Sequence, residues 1–266
     1  MPNVKWVMGE MEAWAPLSLA EEYDNVGLLV GDANQPVKKV LVALDATVAV
    51  IEEAASGGFG CIITHHPLMR DPMKRVTVQD ATGKKIISLI KNGISLYTAH
   101  TNLDKAIGGV NDCLAEKMGL LQTVPMAKES QNSEIGFGKV GEMPNETTLV
   151  GLAKHVKDAL GLQSVRICGN ASTKVKKIAL CGGSGMSFLQ AAKESGCDVY
   201  ITGDVKYSDA LVAQEYGMCI IDATHYGTEN IIVQAIVERL SAKAAKDGVT
   251  LEICASKVDS QPFYSL

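Results

Sequence analysis

The stretch Cys61-Ile62-Ile63-Thr64-His65-His66-Pro67 joins a short apolar run to two adjacent histidines. The apolar run predicts a buried strand, and the proline prevents that strand from continuing. Side chains alternate between the two faces of a strand, but this alternation breaks down where the strand ends, so both imidazoles can turn towards one point. We therefore predict a metal site at this strand end. The competing interpretation is a capped strand end without a ligand.

Strands and helices alternate at short spacing along the chain. The expected apolar strands lie at residues 40–44, 61–63, 94–99, 178–181, 199–202 and 219–222. Such alternation predicts an α/β fold with mainly parallel sheets, in which ligands bind at the carboxyl ends of the strands.

Residues 119–132 resemble a linker, because they contain Gly119, Pro125 and a polar run from Lys128 to Asn132. We therefore expect two related α/β lobes. The first comprises residues 1–125 and is completed by residues 226–266, and the second comprises residues 126–225.

The composition limits the classes of protein to which the chain can belong. Hydrophobic residues make up 47% of the 266 residues, and the net charge of −5 argues against a general nucleic-acid-binding surface. The seven cysteines are dispersed and form no C-x-x-C pair, which predicts reduced thiols in a cytoplasmic protein. No signal peptide is recognisable, and no apolar run approaches the roughly 20 residues of a membrane span.

Three further candidate ligands follow predicted strands. Asp104 comes after the strand at 94–99, and His225 and Glu229 come after the strand at 219–222. If a helix begins near Thr228, His225 and Glu229 can face one point across a helical turn. Taken singly, Asp104 is typical of a turn, and a His-x-x-x-Glu pair is common on helices.

Together with His65 and His66, these residues supply three imidazoles and two carboxylates. Five ligands are too many for one closed tetrahedral zinc site but suit two metal ions with positions left for water. Imidazole and carboxylate ligands favour Zn, Fe, Mn, Co or Ni over Ca and Mg. The sequence therefore predicts two divalent transition-metal ions per chain.

Other polar residues allow two interpretations each. His100 could contact Asp104 as a supporting residue or could be purely structural, and His155 is expected on a helix away from any site. The turn Gly182-Gly183-Ser184-Gly185 could bind an anion through its backbone N–H groups or could be a simple tight turn. Asp204 to Tyr207 could contact a substrate or form a salt-linked turn.

Five segments match, in order and spacing, the motifs of a known family. They are Asp24-Asn25-Val26-Gly27-Leu28, Thr64-His65-His66-Pro67-Leu68, His100-Thr101-Asn102-Leu103-Asp104, Thr202-Gly203-Asp204 and His225-Tyr226-Gly227-Thr228-Glu229. Through these segments the chain resembles the dinuclear metal centre proteins named GTP cyclohydrolase 1 type 2 homologues, over nearly its whole length.

The resemblance implies that the family's five metal ligands are His65, His66, Asp104, His225 and Glu229. It also implies two α/β lobes with the metals in a cleft between them, and a homo-oligomer, often a toroidal hexamer. The chain corresponds to the short form of the family, without an inserted domain. It departs from the family at Ser208, where relatives often have histidine, and this argues against a proton-transfer role at that position.

Two classes of function remain open. The leading hypothesis is a metal-dependent hydrolase that uses water held by the metals on a small nucleotide-like or phosphorylated substrate. The alternative is a non-catalytic metal-handling or regulatory oligomer that acts through protein partners. A nucleic-acid-associated ring is a third hypothesis, and the net charge of −5 argues against it.

Overall fold

The computed structural model describes residues 1–130 and 133–264. The chain divides into two compact units. The first comprises Met1–Leu103 and Ile232–Ser260, and the second comprises Asp104–Ile231 with residues 261–264. The division after residue 103 lies earlier than the boundary at 125 expected from the sequence, and it assigns Asp104 to the second unit.

The chain alternates between strands and helices. The strands are β1 (Gly27–Val30), β2 (Lys39–Ala43), β3 (Cys61–Thr64), β4 (Ser95–Thr98), β5 (Leu121–Lys128), β6 (Gly136–Thr148), β7 (Arg166–Cys168), β8 (Lys174–Leu180), β9 (Val199–Thr202), β10 (Cys219–Asp222) and β11 (Glu252–Ala255). The α-helices are α1 (Val4–Trp14), α2 (Val48–Gly57), α3 (Ala81–Lys91), α4 (Thr101–Lys105), α5 (Val110–Lys117), α6 (Leu149–Ala159), α7 (Leu189–Glu194), α8 (Tyr207–Glu215), α9 (His225–Glu229) and α10 (Ile231–Asp247).

The sheet of the first unit has the strand order β1-β4-β3-β2-β11. Three of its four pairings are parallel, and only β1 runs antiparallel to its neighbour β4. All four residues of β3 are buried, as expected for the central strand of a sheet covered on both faces. His65 and His66 therefore follow the middle strand at the carboxyl edge of the sheet.

Helix α2 shows how local sequence sets the connections in this unit. The side chain of Thr47 accepts a hydrogen bond from the backbone N–H of Val50 (3.2 Å), and Gly58 ends the helix in the left-handed region at φ 70°. The apolar side of the helix packs against the sheet through Val50 and Ile51.

The sheet of the second unit has the strand order β5-β6-β8-β9-β10-β7. The pairings β8–β9 and β9–β10 are parallel, and the other three are antiparallel. Successive side chains of β9 and β10 point to opposite faces of the sheet and pack into two separate hydrophobic cores. Ile201 and Ile221 belong to one core, and Tyr200 and Ile220 belong to the other. Across both sheets, parallel pairings outnumber antiparallel ones, and the predicted α/β class is confirmed.

The linker expected at residues 119–132 is wrong for residues 121–128, which form β5 and pair antiparallel with β6. Residues 131 and 132 of that expected linker lie outside the described residues. Strand β5 lies at the edge of its sheet, and Leu121 and Val124 are about half exposed. Because only part of β5 is buried, its sequence lacks the apolar alternation that marks a strand.

The chemistry of the sequence agrees with the fold in two further respects. All seven cysteines are thiols rather than disulfides. Among the residues that the structure describes, no helix combines the length and the apolarity required to cross a membrane.

Candidate metal centre

The end of β3 is held by hydrogen bonds to both neighbouring strands. The backbone N–H of His66 donates to the carbonyl of Leu44 after β2 (3.0 Å), and the N–H of Ala99 after β4 donates to the carbonyl of Thr64 (3.0 Å). The Thr64 hydroxyl donates to the carbonyl of His66 (2.9 Å). These bonds fix the backbone at the point where the two imidazoles leave the strand.

Each of these imidazoles is oriented through its Nδ1 atom. Nδ1 of His65 lies 2.9 Å from the carbonyl oxygen of Ala99, and Nδ1 of His66 lies 2.8 Å from a carboxylate oxygen of Asp45. Both partners are acceptors, so each neutral ring carries its proton on Nδ1 and its lone pair on Nε2. Histidines that bind metals are supported in this way.

His100 is the third imidazole of the first unit. Its ring centroid lies 5.1 Å from that of His65 and 5.6 Å from that of His66. Its Nδ1 atom bonds to Asp24 (2.9 Å), which lies far upstream in the sequence.

Asp24 is almost completely buried, with 3% of its side chain exposed. Burial alone would raise the pKa of this carboxyl. The hydrogen bonds from His100 and Thr101 outweigh burial and hold the pKa well below its usual range. Asp24 therefore stays ionised and fixes the orientation of the His100 ring.

In the second unit, the short helix α9 pairs the two predicted ligands. The helix begins at His225, three residues earlier than expected, and Thr224 caps it by accepting a hydrogen bond from the N–H of Gly227 (3.0 Å). His225 and Glu229 thus lie one turn apart, and Nε2 of His225 is 3.0 Å from Oε2 of Glu229. Two ligands of one metal ion lie roughly this far apart.

The Nδ1 atom of His225 repeats the pattern seen in the first unit. It lies 2.8 Å from a carboxylate oxygen of Asp204, which follows β9. His225 therefore also presents Nε2 as its ligand atom, and this is the atom next to Glu229. The sequence allowed two interpretations of Asp204, a substrate contact or part of a salt-linked turn. The structure shows that Asp204 orients His225.

Asp104 lies on α4 and is connected to the same region of the second unit. The buried side chain of Asn111 donates to the backbone carbonyl of Asp104 (3.0 Å) and accepts from the N–H of Gly182 (2.9 Å). Burial raises the pKa of the nearby Cys181 thiol, and the negative charges of Asp104 and Glu229 raise it further. Both carboxylates therefore act on one buried group.

The Gly182–Gly185 turn packs against the ligand pair. Three of its N–H groups are bonded within the unit: Gly182 to Asn111, Gly183 to the hydroxyl of Thr228 and Gly185 to the hydroxyl of Thr202. A Cβ at Gly183 would overlap the carboxylate of Glu229. The glycines are therefore required by close packing.

Two residues beside the ligand pair have left-handed backbones that side chains disfavour. Asp204 has φ 53° and Thr224 has φ 61°. The buried carboxylate of Asp222 holds both turns, because it accepts from the N–H of Thr224 (3.0 Å) and of Val205 (3.3 Å). Arg166 completes this arrangement by binding Asp222 and the carbonyl of Val205.

Sequence reasoning missed three supporting carboxylates, namely Asp24, Asp45 and Asp204. A signal was available for Asp45 and Asp204, because each lies just beyond the carboxyl end of a strand, as the ligands do. Nε2 of His155, on α6, lies 3.1 Å from the carbonyl of Met118. This contact agrees with the structural role expected for His155.

The chain was compared with known proteins and structures. It is 39% identical over 257 residues to a Clostridium perfringens protein named GTP cyclohydrolase 1 type 2 homolog, with 97% of each chain covered. Its fold matches a Bacillus cereus protein related to NIF3 with a TM-score of 0.95 at 29% identity, covering 100% and 99% of the two chains. It also matches reduced HcgD from Methanocaldococcus jannaschii with a TM-score of 0.82 at 33% identity, covering 97% and 98%.

The resemblance drawn from the five sequence motifs is confirmed by these matches. A family model described as Duf34/NIF3 (NGG1p interacting factor 3) matches residues 2–262. The chain therefore belongs to the Duf34/NIF3 family.

Proposed function

We propose that His65, His66, Asp104, His225 and Glu229 bind two divalent transition-metal ions in each chain. Three imidazoles and two carboxylates form a donor set that suits Zn, Fe, Mn, Co or Ni. Glu229 is buried, with 4% of its surface exposed, and one of its carboxylate oxygens lies 3.0 Å from Nε2 of His225. This places a carboxylate and an imidazole ligand atom next to each other, as binding to one metal ion requires.

The observation that carries this proposal is the shared orientation of the three histidines. In His65, His66 and His225, Nδ1 lies 2.8–2.9 Å from a backbone carbonyl or a carboxylate oxygen. Supporting contacts of this kind fix the tautomer and the ring direction of metal-bound histidines. Two of the three partners are carboxylates, Asp45 and Asp204, and each lies just beyond the carboxyl end of a strand.

The function that fits this centre best is metal-dependent hydrolysis of a small nucleotide-like or phosphorylated substrate. When bound, two transition metals lower the pKa of water to roughly 7 and so supply a nucleophile. The residues of the chain contribute orientation: Asp45 and Asp204 hold the rings of His66 and His225. The name GTP cyclohydrolase 1 type 2 homolog, carried by the relative from Clostridium perfringens, supports this class of substrate.

A non-catalytic, metal-handling or regulatory role is the second candidate. It is favoured by the Gly182–Gly185 turn, where three N–H groups are bonded internally and so are not available to a phosphate group. The name NGG1p interacting factor 3, given to the family, points to a protein partner.

We also propose that the protein is a homohexamer of toroidal form located in the cytoplasm. Its seven cysteines are free thiols, which suits a reducing compartment.

The metal content of single variants tests the ligand assignment. Elemental analysis should find two metal ions per wild-type chain and fewer in His65→Ala or Glu229→Ala, with near-normal circular dichroism. His155→Ala is the matched control and should retain both ions. An unchanged metal content in either ligand variant contradicts the assignment.

Turnover by the metal-loaded protein separates the two functions. We expect hydrolysis of at least one member of a panel of nucleotides, phosphoesters and cyclic amides, and loss of this activity in Glu229→Ala. No turnover across the panel, with two metals bound, would favour the non-catalytic role.

Light scattering tests the proposed hexamer by comparing the molar mass in solution with that of the 28.2 kDa chain.

A further inference from the structure

We infer that the first unit alone forms a mononuclear metal site from His65, His66 and His100. His100 is not among the five ligands proposed above, and this site uses no residue of the second unit. His65 and His66 are also ligands of the proposed dinuclear centre, and the inference goes beyond that proposal by adding His100 and its contact with Asp24.

The three imidazoles form a compact group. Their ring centroids are separated by 5.1–5.6 Å, and one ligand atom from each ring lies within 4.8 Å of the other two. Three nitrogens bound tetrahedrally to zinc at ~2.05 Å lie roughly 3.3 Å apart. Modest rotations of the rings would therefore bring all three onto one ion.

His100 is prepared for metal binding in the same way as its two neighbours. Its Nδ1 lies 2.9 Å from the carboxylate of Asp24, as those of His65 and His66 lie next to Ala99 and Asp45. The neutral ring of His100 therefore presents the lone pair of Nε2. A purely structural role for His100 would not require this agreement among three adjacent rings.

The carboxylate that supports His100 is itself held by several hydrogen bonds. Asp24 accepts hydrogen bonds from the N–H of Thr101 (3.0 Å), the hydroxyl of Thr101 (2.5 Å) and the N–H of Asn25 (2.9 Å). The carboxylate is therefore immobile, and it fixes the ring of His100 at low entropic cost. Preorganised supporting contacts of this kind raise metal affinity about 10–100-fold.

Three neutral imidazoles select a particular class of ion. They favour borderline divalent ions such as Zn²⁺, Co²⁺, Ni²⁺ and Cu²⁺ over Mg²⁺ and Ca²⁺. A site with three histidine ligands leaves a fourth position open for water or an anion. Because none of the three neutral ligands cancels the charge of the ion, this site would hold an anion in the fourth position more strongly than a site with carboxylates.

The five histidines of the chain allow a clean test in the full-length protein. The variant Asp104→Ala, His155→Ala, His225→Ala, Glu229→Ala retains only His65, His66 and His100 as histidines. Optical titration with Co²⁺ measures its stoichiometry and affinity, and X-ray absorption of the Zn²⁺ form counts the coordinated imidazoles. Adding His100→Ala to this background removes the third ring.

We expect the variant with these four alanine substitutions, called the four-site variant, to bind one ion per chain through three imidazoles. Adding His100→Ala should reduce the number of coordinated imidazoles to two and weaken Co²⁺ binding by at least about tenfold. The inference is overturned if the four-site variant binds no ion, or if only two imidazoles coordinate the ion while His100 is present. It is also overturned if His100→Ala leaves the affinity unchanged.

Two further measurements keep the result interpretable. If the alanine variant fails to fold, the background Asp104→Asn, His155→Gln, His225→Gln, Glu229→Gln offers the same comparison with smaller changes in volume. The wild-type stoichiometry separates this inference from the proposed dinuclear centre. Two ions in the wild type and none in the four-site variant would contradict only the inference made here, whereas one ion in both would contradict only the dinuclear centre.

Discussion

Nδ1 of His225 lies 2.8 Å from Oδ2 of Asp204, and this contact joins the ends of two neighbouring strands of the second unit. Asp204 follows β9 and His225 follows β10, and these strands pair in parallel. The carboxylate thereby decides which nitrogen of His225 is offered to a ligand. The contact gives Asp204 a role in metal binding although it is not a proposed ligand.

Asp204→Asn should therefore weaken metal binding without unfolding the protein. Loss of a supporting carboxylate typically lowers metal affinity about 10–100-fold. The side chain of Asp204 is 55% exposed, so the melting temperature should change little. A competition titration with a chromophoric chelator measures the affinity. Asp158→Asn, at another exposed position with 75% of its side chain accessible, is the control; equal affinities in the two variants would contradict the role of Asp204.

Gly183→Ala should remove metal binding because of a local overlap. The new Cβ would meet the carboxylate of Glu229 and approach Nε2 of His225 at 3.3 Å. Gly217→Ala is the matched control, because Gly217 also has a positive φ (68°) but has open space around it. Both variants should lose roughly 1–2 kcal/mol of stability from the backbone conformation. Only Gly183→Ala should lower the metal content, and an equal loss in both would contradict the packing argument.

Thr224→Gly should stabilise the metal-free protein. Thr224 has φ 61° and ψ 154°, a conformation that costs a residue other than glycine about 1–3 kcal/mol. Glycine relieves this strain and, as an N-cap, gives up only a few tenths of a kcal/mol. Urea unfolding measures the difference.

Thr47→Gly provides the contrast for that experiment. Thr47 caps α2 with an ordinary backbone at φ −76°, so glycine removes the cap and relieves no strain. This variant should lower the free energy of unfolding, by up to about 1 kcal/mol from added flexibility. If Thr224→Gly destabilises the protein as much as Thr47→Gly does, the backbone at Thr224 does not store strain.

The buried thiols should resist alkylation in the native protein. Burial raises the pKa of Cys61 to about 12, and burial with the charges of Asp104 and Glu229 raises that of Cys181. Only the thiolate reacts, so at pH 8 iodoacetamide should label the partly exposed Cys113 well before either of them. Mass spectrometry of native and urea-unfolded samples checks this order. Rapid native labelling of Cys61 would contradict its burial.

Most of the regular fold was predictable from local patterns. Strand β3 and helix α2 carry complete signals, namely an apolar run in β3 and a threonine cap with a glycine end in α2. Strand β5 carried no such signal, because an edge strand is stabilised by backbone pairing and leaves Leu121 and Val124 exposed. Tertiary pairing there outweighs local preference.

The candidate site was predictable where ligand types and strand ends coincide, as at His65 and His66. The partners of these rings were harder to predict, because they depend on contacts between distant parts of the chain. Asp24 meets His100 across 76 residues, and Asp204 meets His225 across 21. The start of α9 at His225 was also missed, because the capping Thr224 has a backbone that its residue type disfavours.

The pairing of β11 with β2 also has a consequence for biosynthesis. Val40 of β2 pairs with Ile253 of β11, so the sheet of the first unit cannot be completed until β11 has left the ribosome. The second unit is built mainly from one continuous segment, Asp104–Ile231, with residues 261–264 added at the end, so most of it can fold earlier. Until β11 emerges, β2 exposes an unpaired edge, which invites aggregation. Truncation before residue 252 should therefore harm solubility far more than the loss of four residues from a surface loop.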